Sequence, residues 1–415
     1  MKRDLRLFYG YRLLATSFLF VPVEVPYLLS RGLSFTQILA LQSLFSAIVI
    51  LFEVPTGALA DRVGRKWALV TGSLLMGLGS LLFWHASGMA RFAAAQTLLA
   101  LGMTLVSGPD SAYLYDRLAE QGEDEGYRGR EGTATAMKHI GTAAAFAVGG
   151  LLGTIDPALP YLATAGVSVL AALVALALTE TRVVRPVVPW RGFLRHMGRA
   201  VSTSVSFARL RWAILYAAFI FVLLRVSLWL YQPYLKRAGF DLAAVGFIFA
   251  GVYLCAALSA HHIEAIRRRL PGPALYWALP LTLGASYLLL GRFAASWGVV
   301  LLLAQKAVDG VYSPLTKELI NRDVPDSGAR ATVLSVESMV RRLAFCAFAP
   351  LIGVLMDHVS LSAALYACSI TAGLGAAALV LARPRALGEP EAASAPRDAG
   401  AAGGPGATGR AGSRA

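Results

Sequence analysis

The sequence is poor in charge and in cysteine, and it lacks a nucleotide-binding motif. Only 15% of its 415 residues are charged, whereas a soluble domain has about 25%, so a soluble globular fold is not expected. The three cysteines lie inside apolar segments, a position that predicts neither a disulfide framework nor a metal site. The absence of G-x-x-x-x-G-K-[ST] excludes a self-contained ATP-driven pump. The chain also has no arrangement of catalytic side chains, and we expect neither an enzyme nor a bound cofactor.

Long apolar runs take the place of the missing charge. Hydrophobic residues make up 57% of the chain, and stretches such as 67–84 and 161–178 reach the ~18 uncharged residues of a membrane-crossing helix. We therefore predict an all-α membrane protein with twelve transmembrane helices in two six-helix bundles. The predicted spans lie near residues 8–29, 35–58, 67–87, 91–114, 133–154, 159–179, 210–233, 242–262, 272–291, 295–317, 332–355 and 361–382.

The distribution of basic residues predicts the orientation of these spans. Arginine and lysine cluster in alternate loops, as at 62–66 and 267–269, while the loops at 85–89 and 154–160 carry little charge. Lys and Arg are enriched in cytoplasmic loops, so both termini are predicted to be cytoplasmic. This distribution also explains the net charge of +14 without a nucleic-acid partner. We expect a monomeric, multi-pass protein of the cell inner (cytoplasmic) membrane, in contact with the lipid bilayer.

A long basic loop divides the chain into two halves of similar length. The C-terminal residues are rich in Ala, Gly, Pro and Arg, a composition that cannot bury a core. The predicted domains are an N-terminal six-helix bundle at 1–180, a cytoplasmic central loop at 181–208, a C-terminal six-helix bundle at 209–383 and a disordered cytoplasmic tail at 384–415.

The two halves share a weak sequence repeat. The pattern G-x-x-S-x-x-x-x-acid occurs in the fourth predicted span and again in the tenth. Repeats at equivalent places are typical of transporters that have a substrate site where their halves meet. The residues of the repeat are Gly108, Ser111 and Asp116 in the first half, and Gly310, Ser313 and Glu318 in the second.

The loop between the second and third spans carries a specific motif. Residues 53–66 read EVPTGALADRVGRK and fit the pattern G-x-x-x-D-R-x-G-R-K. This loop resembles the signature loop of the major facilitator superfamily, and E-x-P-T-G resembles a bacterial branch of it; the resemblance covers roughly residues 5–383. It implies a secondary active transporter that works by alternating access. The gating residues it implies are Gly57, Asp61, Arg62, Gly64, Arg65 and Lys66.

The residue types of this motif have physical reasons. Gly57 is small enough to let two helices approach closely, and Gly64 permits a tight turn that other residues would strain. In the family, the aspartate and the arginines make contacts that hold the cytoplasmic side closed. We expect those contacts to break when the cavity opens inward.

Charged residues inside the predicted spans mark the candidate sites for binding and coupling. A charge near the middle of a span costs at least ~2.5–3.5 kcal/mol, so it needs a partner or a water-filled cavity. Lys306 and Asp309 are one helical turn apart, and Arg341 can pair with Glu337 along its helix. The candidates for substrate binding or proton coupling are Glu24, Asp110, Arg225, Lys306, Asp309 and Arg341.

These charges also have structural interpretations. Glu24 is flanked by Pro22 and Pro26, which predict a broken or kinked first helix. Its carboxylate either lines a cavity or is solvated near the outer mouth. The surplus of positive charge in the second half either lines the central cavity or holds the seventh, tenth and eleventh spans together. If it lines the cavity, an anionic substrate is expected.

The fifth span departs from a motif of proton antiporters in the family. Such antiporters often have G-x-x-x-G-P-x-x-G-G, and the matching stretch here reads GTAAAFAVGG. Ala145 and Phe146 replace the glycine and the proline, while Gly141, Gly149 and Gly150 keep a small face for close helix packing. The departure weakens an interpretation as a proton-exchanging exporter without excluding it.

The functional prediction is proton-coupled export of a drug-like compound or metabolite. The alternative is uptake of an organic anion that uses the cationic second half. Both predictions need a small-molecule substrate, and protons are the expected coupling partner. Neither needs a metal or a cofactor.

Overall fold

The computed structural model describes residues 2–181, 198, 201–202, 204, 206–270, 272–324 and 330–382, which form helices and turns with no β-strand. The predicted tail and most of the predicted central loop lie outside these residues. The first half has α1 Lys2–Leu14, α2 Glu24–Ser30, α3 Phe35–Val63, α4 Arg65–His85, α5 Met89–Val106, α6 Pro109–Ala119, α7 Tyr127–Ile155 and α8 Leu159–Leu176. The second half has α9 Ala208–Arg237, α10 Leu242–His261, α11 Ile263–Arg269, α12 Gly272–Arg292, α13 Val299–Asp323, α14 Arg330–His358 and α15 Leu361–Leu381.

Two predicted spans are broken into two helices each. The first span is interrupted between α1 and α2, where Val21–Val23 form a single 3-10 turn that contains Pro22. This confirms the predicted break, since proline cannot donate a backbone hydrogen bond. The fourth span, predicted as one helix, breaks at Gly108, whose φ of 99° favours glycine, and α6 restarts at Pro109.

By length and composition alone, nine segments among the described residues are long and apolar enough to cross a membrane. They correspond to all the predicted spans except the first, fifth and tenth. The first is split by its break, and α7 and α13 are less apolar because they carry charged residues such as Glu131, Lys138, Lys306 and Asp309. The twelve-span count therefore stays a prediction.

The two halves meet along two helix pairs, α3 with α14 and α7 with α10. The second pair approaches closely at Gly150 and Gly246, where a Cβ added to Gly150 would lie 2.6 Å from the Cα of Gly246. Gly141 and Gly149 lie in the same way against the backbone of the first span, at the carbonyl groups of Leu13 and Leu19. The predicted small face on α7 is thus confirmed as a packing face.

The helix ends lie on two faces of the molecule. We call one the basic face: it carries the ends of α3, α6 and α13, with Arg65, Arg117 and Arg267. The other, which we call the opposite face, carries the short connections at 31–34, 238–241 and 359–360.

Candidate functional site

Two cavities lie between the halves, in the part of the molecule nearer the basic face. The larger, about 490 Å³, is bounded by α7, α10 and α13, and the smaller, about 260 Å³, by α3, α13 and α14. Ser313 and Lys317 of α13 line both cavities, so the two cavities adjoin at these residues. Pockets of roughly 300–1,000 Å³ accommodate small organic molecules.

A third cavity, of about 960 Å³, lies on the opposite face. Its lining is mostly apolar and includes Pro22, Pro26, Pro233, Phe240 and Leu242. None of the predicted binding or coupling residues lines it. Candidate residues for binding or coupling are therefore sought in the two cavities near the basic face and among the buried polar groups between those cavities and the opposite face.

On the opposite face, a carboxylate of one half caps a helix of the other half. Asp357, at the end of α14, accepts hydrogen bonds from the backbone N–H groups of Phe35 and Thr36, both at 2.8 Å, and from the Thr36 hydroxyl at 2.6 Å. A Cβ added to Gly353 would lie 2.6 Å from the Thr36 Cα, so α3 and α14 are in close contact here. The first N–H groups of a helix lack partners within the helix, and Asp357 supplies them across the interface.

A glutamine joins the halves at the break in the first span. The Gln232 side chain of α9 donates to the Val21 carbonyl at 2.8 Å and accepts from the Val25 N–H at 2.8 Å. Gln232 is buried, and both backbone groups lie where the broken helix leaves them without helical partners. One side chain thus completes the hydrogen bonding of the break and ties it to the second half.

Glu24 starts α2 immediately after this break and is buried, 2% exposed. The Gln42 side chain donates to Glu24 Oε1 at 3.0 Å, and the Gln96 side chain donates to the side-chain oxygen Oε1 of Gln42 at 3.3 Å. Arg225 of the second half interacts with Glu24 electrostatically, but no ion pair with Glu24 occurs among the described residues. The alternative of a solvated Glu24 at an outer mouth is therefore wrong for this conformation.

Lys306 and Asp309 form an ion pair at the edge of the larger cavity. Their Nζ and Oδ2 atoms are 2.9 Å apart, and Lys306 Nζ lies 4.4 Å from the ring centre of Tyr253. Lys306 is buried, whereas the Asp309 side chain is 37% exposed and lines the cavity beside His139. Both residues belong to α13, and the contact of Lys306 with Tyr253 connects the pair to α10. Only the acidic member of the pair lines the cavity.

Arg341 lines the smaller cavity together with its helical partner. Arg341 Nη1 lies 3.4 Å from Glu337 Oε1, and the guanidinium stacks over Phe221 at 5.1 Å. The next residue, Arg342, interacts electrostatically with Glu53 of the first half. Arg341 thus both lines a cavity and packs between helices, two roles that were expected to be alternatives.

Asp110 lies apart from both cavities, in a network inside the first half. It pairs with Arg12 of α1, which also lies 3.3 Å from Glu131 of α7, and Ser111 donates to Glu131 at 2.9 Å. Arg12 is 7% exposed. The structure therefore does not bring Asp110 together with the other predicted binding and coupling residues.

Among the described residues, the hydrogen bonds and ion pairs of the predicted gating residues are all with the first half. Arg65 Nη2 lies 2.6 Å from Asp61, and its Nε lies 3.7 Å from Asp116 of α6. Asp116 is buried, so this contact with Arg65 lies inside the first half. Arg62 is exposed, and its side chain forms no hydrogen bond or ion pair among the described residues.

The two glycines of the loop differ. Gly64 has φ of 106°, which favours glycine, and a Cβ there would lie 2.6 Å from Glu180 Oε2; the same carboxylate accepts the Lys66 N–H at 3.3 Å. Nothing lies within 4 Å of a Cβ added to Gly57, so the expected close helix approach there is wrong for this conformation.

The second half has a counterpart of the contact between Arg65 and Asp116. Arg267 of α11 binds both carboxylate oxygens of Glu318, at 2.5 and 2.9 Å. Asp116 and Glu318 are the acidic residues of the sequence repeat, so each repeat ends in a carboxylate that binds an arginine from the preceding basic loop. The repeat was recognised from the sequence, but this common role was missed.

A second ion pair fixes the N-terminus to the basic face. Asp4 accepts from Arg117 at 2.6 Å and from the Thr179 hydroxyl at 3.0 Å. Burial alone would raise the pKa of Asp4, but these hydrogen bonds and the charge of Arg117 outweigh it and hold the pKa below its ordinary value. The group thus stays ionised.

Several site residues were not among the sequence predictions. Three of them are glutamines that are buried in apolar segments: Gln42, Gln96 and Gln232. An amide is rare in such a segment, and its presence there was the sequence signal that could have identified them. His139 and Lys317 line the cavities and would need the helix arrangement to be recognised.

The family model described as Major Facilitator Superfamily matches residues 8–286. Comparison with curated proteins gives no match. Among solved structures, the chain is similar to the nucleoside transporter NupG, with 12% identity, 92% of this chain and 98% of that chain covered, and a TM-score of 0.78. It is also similar to a bacterial homologue of the human lysosomal transporter Spinster in an inward-facing, unoccupied conformation (14% identity, 92% and 96% covered, TM-score 0.72). The peptide transporter POT gives 18% identity, 91% and 94% covered, and a TM-score of 0.71. At these identities the likeness to solved structures shows the fold.

Proposed function

Because the chain belongs to the major facilitator superfamily, we propose that it exports a small organic solute in exchange for protons, by alternating access between its two halves. It is a multi-pass membrane protein and a secondary transporter, not an enzyme. The halves that move are proposed to be the bundles at 1–180 and 209–383.

We place the basic face in the cytoplasm, at the cell inner membrane. Arginine and lysine are concentrated on this face, and such residues are enriched on the cytoplasmic side. The two cavities lie toward this face, and the contacts of Asp357, Gln232 and Gly246 join the halves toward the other. The described conformation is then inward-facing, the conformation that the solved Spinster homologue has.

The observation that carries proton coupling is the environment of Glu24. Proton coupling needs a carboxylate that is charged in one conformation and neutral in the other. Glu24 is buried, has no ion pair among the described residues and directly follows the turn Val21–Val23, where Gln232 binds the Val21 carbonyl. When the halves separate on the opposite face, that contact is lost and water reaches Glu24, which then exchanges its proton with the outside.

Asp309 is the second candidate for coupling, because its side chain reaches the cavity while its partner Lys306 is buried. Protonation of Asp309 would free Lys306, and a change of solute occupancy would be coupled to that step. Asp110 is the third candidate, and its pairing with Arg12 favours a structural role.

The gating residues are proposed to act in the other conformation. In the part of the chain that the structure describes, Asp61 and Arg62 form no hydrogen bond or ion pair with the second half, and Gly57 has open space beside it. When the cytoplasmic side closes, the second half approaches this surface and the charged side chains bind its helix ends. Exposed ion pairs contribute ~0–1 kcal/mol each, so such contacts can be broken by solute binding.

The test is transport in proteoliposomes with an imposed pH gradient, over a panel of metabolites and drug-like compounds. We expect a solute whose flux depends on the gradient. Glu24→Gln should keep solute exchange at equal pH and lose accumulation driven by the gradient, whereas Glu264→Gln, an exposed carboxylate outside the cavities, should change neither. Gradient-driven flux that survives Glu24→Gln would refute the assignment of Glu24, and no gradient-driven flux at all would refute proton exchange.

Uptake of an organic anion is the second candidate function. Arg225 is half-buried, and the described residues provide no ion pair for it. Such a charge near the middle of α9 needs an anion or water. Arg225→Gln should then abolish transport of anions and leave neutral solutes unaffected; equal loss of both would indicate a structural role.

A further inference from the structure

Two charges of opposite sign lie in the smaller cavity without an ion-pair partner. Glu53 belongs to α3 of the first half and Lys317 to α13 of the second, and both side chains are exposed in the cavity of about 260 Å³. The cavity's other charged residues, Glu337 and Arg341, pair with each other. Among the described residues, only Glu53 and Lys317 of this cavity therefore lack a partner at ion-pair distance.

Each of these two groups has a residue of opposite charge nearby that does not form an ion pair with it. Arg342 interacts electrostatically with Glu53, and Glu337 interacts electrostatically with Lys317. The cavity thus holds a carboxylate and an ammonium group on facing halves, and each retains its hydrogen-bonding capacity for a solute.

We propose that the transported solute is a zwitterion whose cationic group pairs with Glu53 and whose anionic group pairs with Lys317. This inference rests on the proposed transport function and names its substrate class. A monovalent anion would leave the carboxylate of Glu53 facing the solute, and a monovalent cation would leave the ammonium of Lys317 facing it. Only a solute with both charges satisfies both groups.

The adjacent cavity gives room for the rest of the solute. Lys317 and Ser313 line both cavities, so the anionic end lies at the junction between them. The larger cavity offers Tyr253 and a row of alanines as an apolar wall, with His139 and Asp309 as polar groups. A zwitterion with an apolar or hydrogen-bonding substituent fits this arrangement.

Binding across the cavity also supplies a reason for the conformational change. A solute that holds Glu53 and Lys317 together joins α3 to α13 at a level nearer the basic face than the contact of Asp357. It therefore binds the conformation with the halves closed on that side more tightly than the described one. A ligand shifts a conformational equilibrium only through such a difference in affinity.

The test is binding to the purified full-length protein in detergent, measured by thermal stabilisation. The probes are ω-amino acids of increasing length, their N-acetyl derivatives, which keep only the carboxylate, and their methyl esters, which keep only the ammonium. We expect stabilisation by amino acids of a suitable length, and affinity lower by roughly tenfold or more for both derivatives, as expected for the loss of one charge-assisted contact.

Substitutions assign each charge to its residue. With Glu53→Gln the amino acid and its N-acetyl derivative should bind alike, and with Lys317→Gln the amino acid and its methyl ester should bind alike. The double variant Glu53→Lys with Lys317→Glu should restore binding of the zwitterion, because both charges are present in exchanged positions. Glu264→Gln and Lys236→Gln, which remove exposed charges outside this cavity, should leave the preference unchanged.

The outcomes separate this inference from the transport function. Binding of a monovalent derivative as tightly as the amino acid, or no binding of any zwitterion by a protein that transports a monovalent solute, would overturn it and leave transport intact. Absence of any gradient-driven flux would count against proton-coupled transport, while zwitterion binding could still be measured.

Discussion

Asp357 provides the sharpest test of how the two halves are held together. It is the residue of α14 that caps α3, and its partners lie more than three hundred positions away in the sequence. We predict that Asp357→Ala weakens the contact between the halves on the opposite face and shifts the protein toward a conformation open on that face. Asp357→Asn, which keeps a carbonyl acceptor but loses the charge, should shift it less.

The size of the effect follows from the geometry of the cap. Ser34, the cap residue of α3 itself, accepts from Gln37, which leaves the N–H groups of Phe35 and Thr36 to Asp357. Asp357 is exposed, so water replaces it when the halves separate. Removal of a side-chain cap costs about 1 kcal/mol, which corresponds to about a fivefold change in the ratio of the two conformations.

The assay measures the distance between the halves on the opposite face. Spin labels on cysteines introduced at Ser87 and Val359, both exposed, report it in protein whose native cysteines have been replaced. The fraction of protein with the longer distance should rise about fivefold with Asp357→Ala.

The control is Asp156→Ala, since Asp156 is an exposed carboxylate on the same face that binds only within its own half, at the Ala158 N–H. An unchanged distance distribution for Asp357→Ala, or an equal change for Asp156→Ala, would refute the role of the cap. The experiment reports on the conformational equilibrium alone, so it holds whatever the solute is.

Three further predictions concern packing, the helix break and pH. Gly246→Ala should raise the same long-distance fraction, because its Cβ would lie 2.6 Å from a backbone carbonyl of α7. Gln232→Leu should lower the free energy of unfolding by about 1–3 kcal/mol, measured by thermal unfolding, because two backbone groups of the helix break lose their partner. Asp4→Asn should lower thermal stability at pH 7. Arg117 helps hold the pKa of Asp4 below its ordinary value, so the ionised carboxylate stabilises the fold at any pH above the ordinary pKa of an aspartate. The difference in stability between variant and parent should vanish as the pH falls through the pKa of Asp4 in the folded protein.

The sequence predicted best those contacts that depend on spacing along one helix. Lys306 with Asp309 and Glu337 with Arg341 are pairs three and four residues apart, and helix geometry brings such residues together whatever the tertiary structure. The small face of α7 was predictable for the same reason, because glycine at helical spacing has few uses other than close packing.

Contacts between distant helices could not be predicted in this way. Asp110 was a candidate for coupling because it lies in an apolar span, but its partner Arg12 is ninety-eight residues away, and only the packing of α1 against α6 and α7 brings them together. Gln42 and Gln96 were overlooked because they are uncharged. Yet a buried amide needs a hydrogen-bond partner, as a buried charge does. Gln42 donates to Glu24 and Gln96 donates to Gln42, so the two amides form a hydrogen-bonded chain that ends at Glu24.

The two faces of the protein offer different kinds of contact between the halves, and this difference bears on the proposed transport cycle. On the opposite face, Asp357, Gln232 and the glycines of α7 and α10 make specific contacts with backbone groups, which have a fixed geometry. On the basic face, the available contacts are long charged side chains such as Arg62, which adapt to several partners and are weak individually. An empty transporter held closed by fixed contacts on one face would remain inward-facing until a solute supplied the missing interaction on the other. A solute that binds Glu53 and Lys317 together supplies it in the required place, because it joins the halves on the side where the protein's own contacts are weakest.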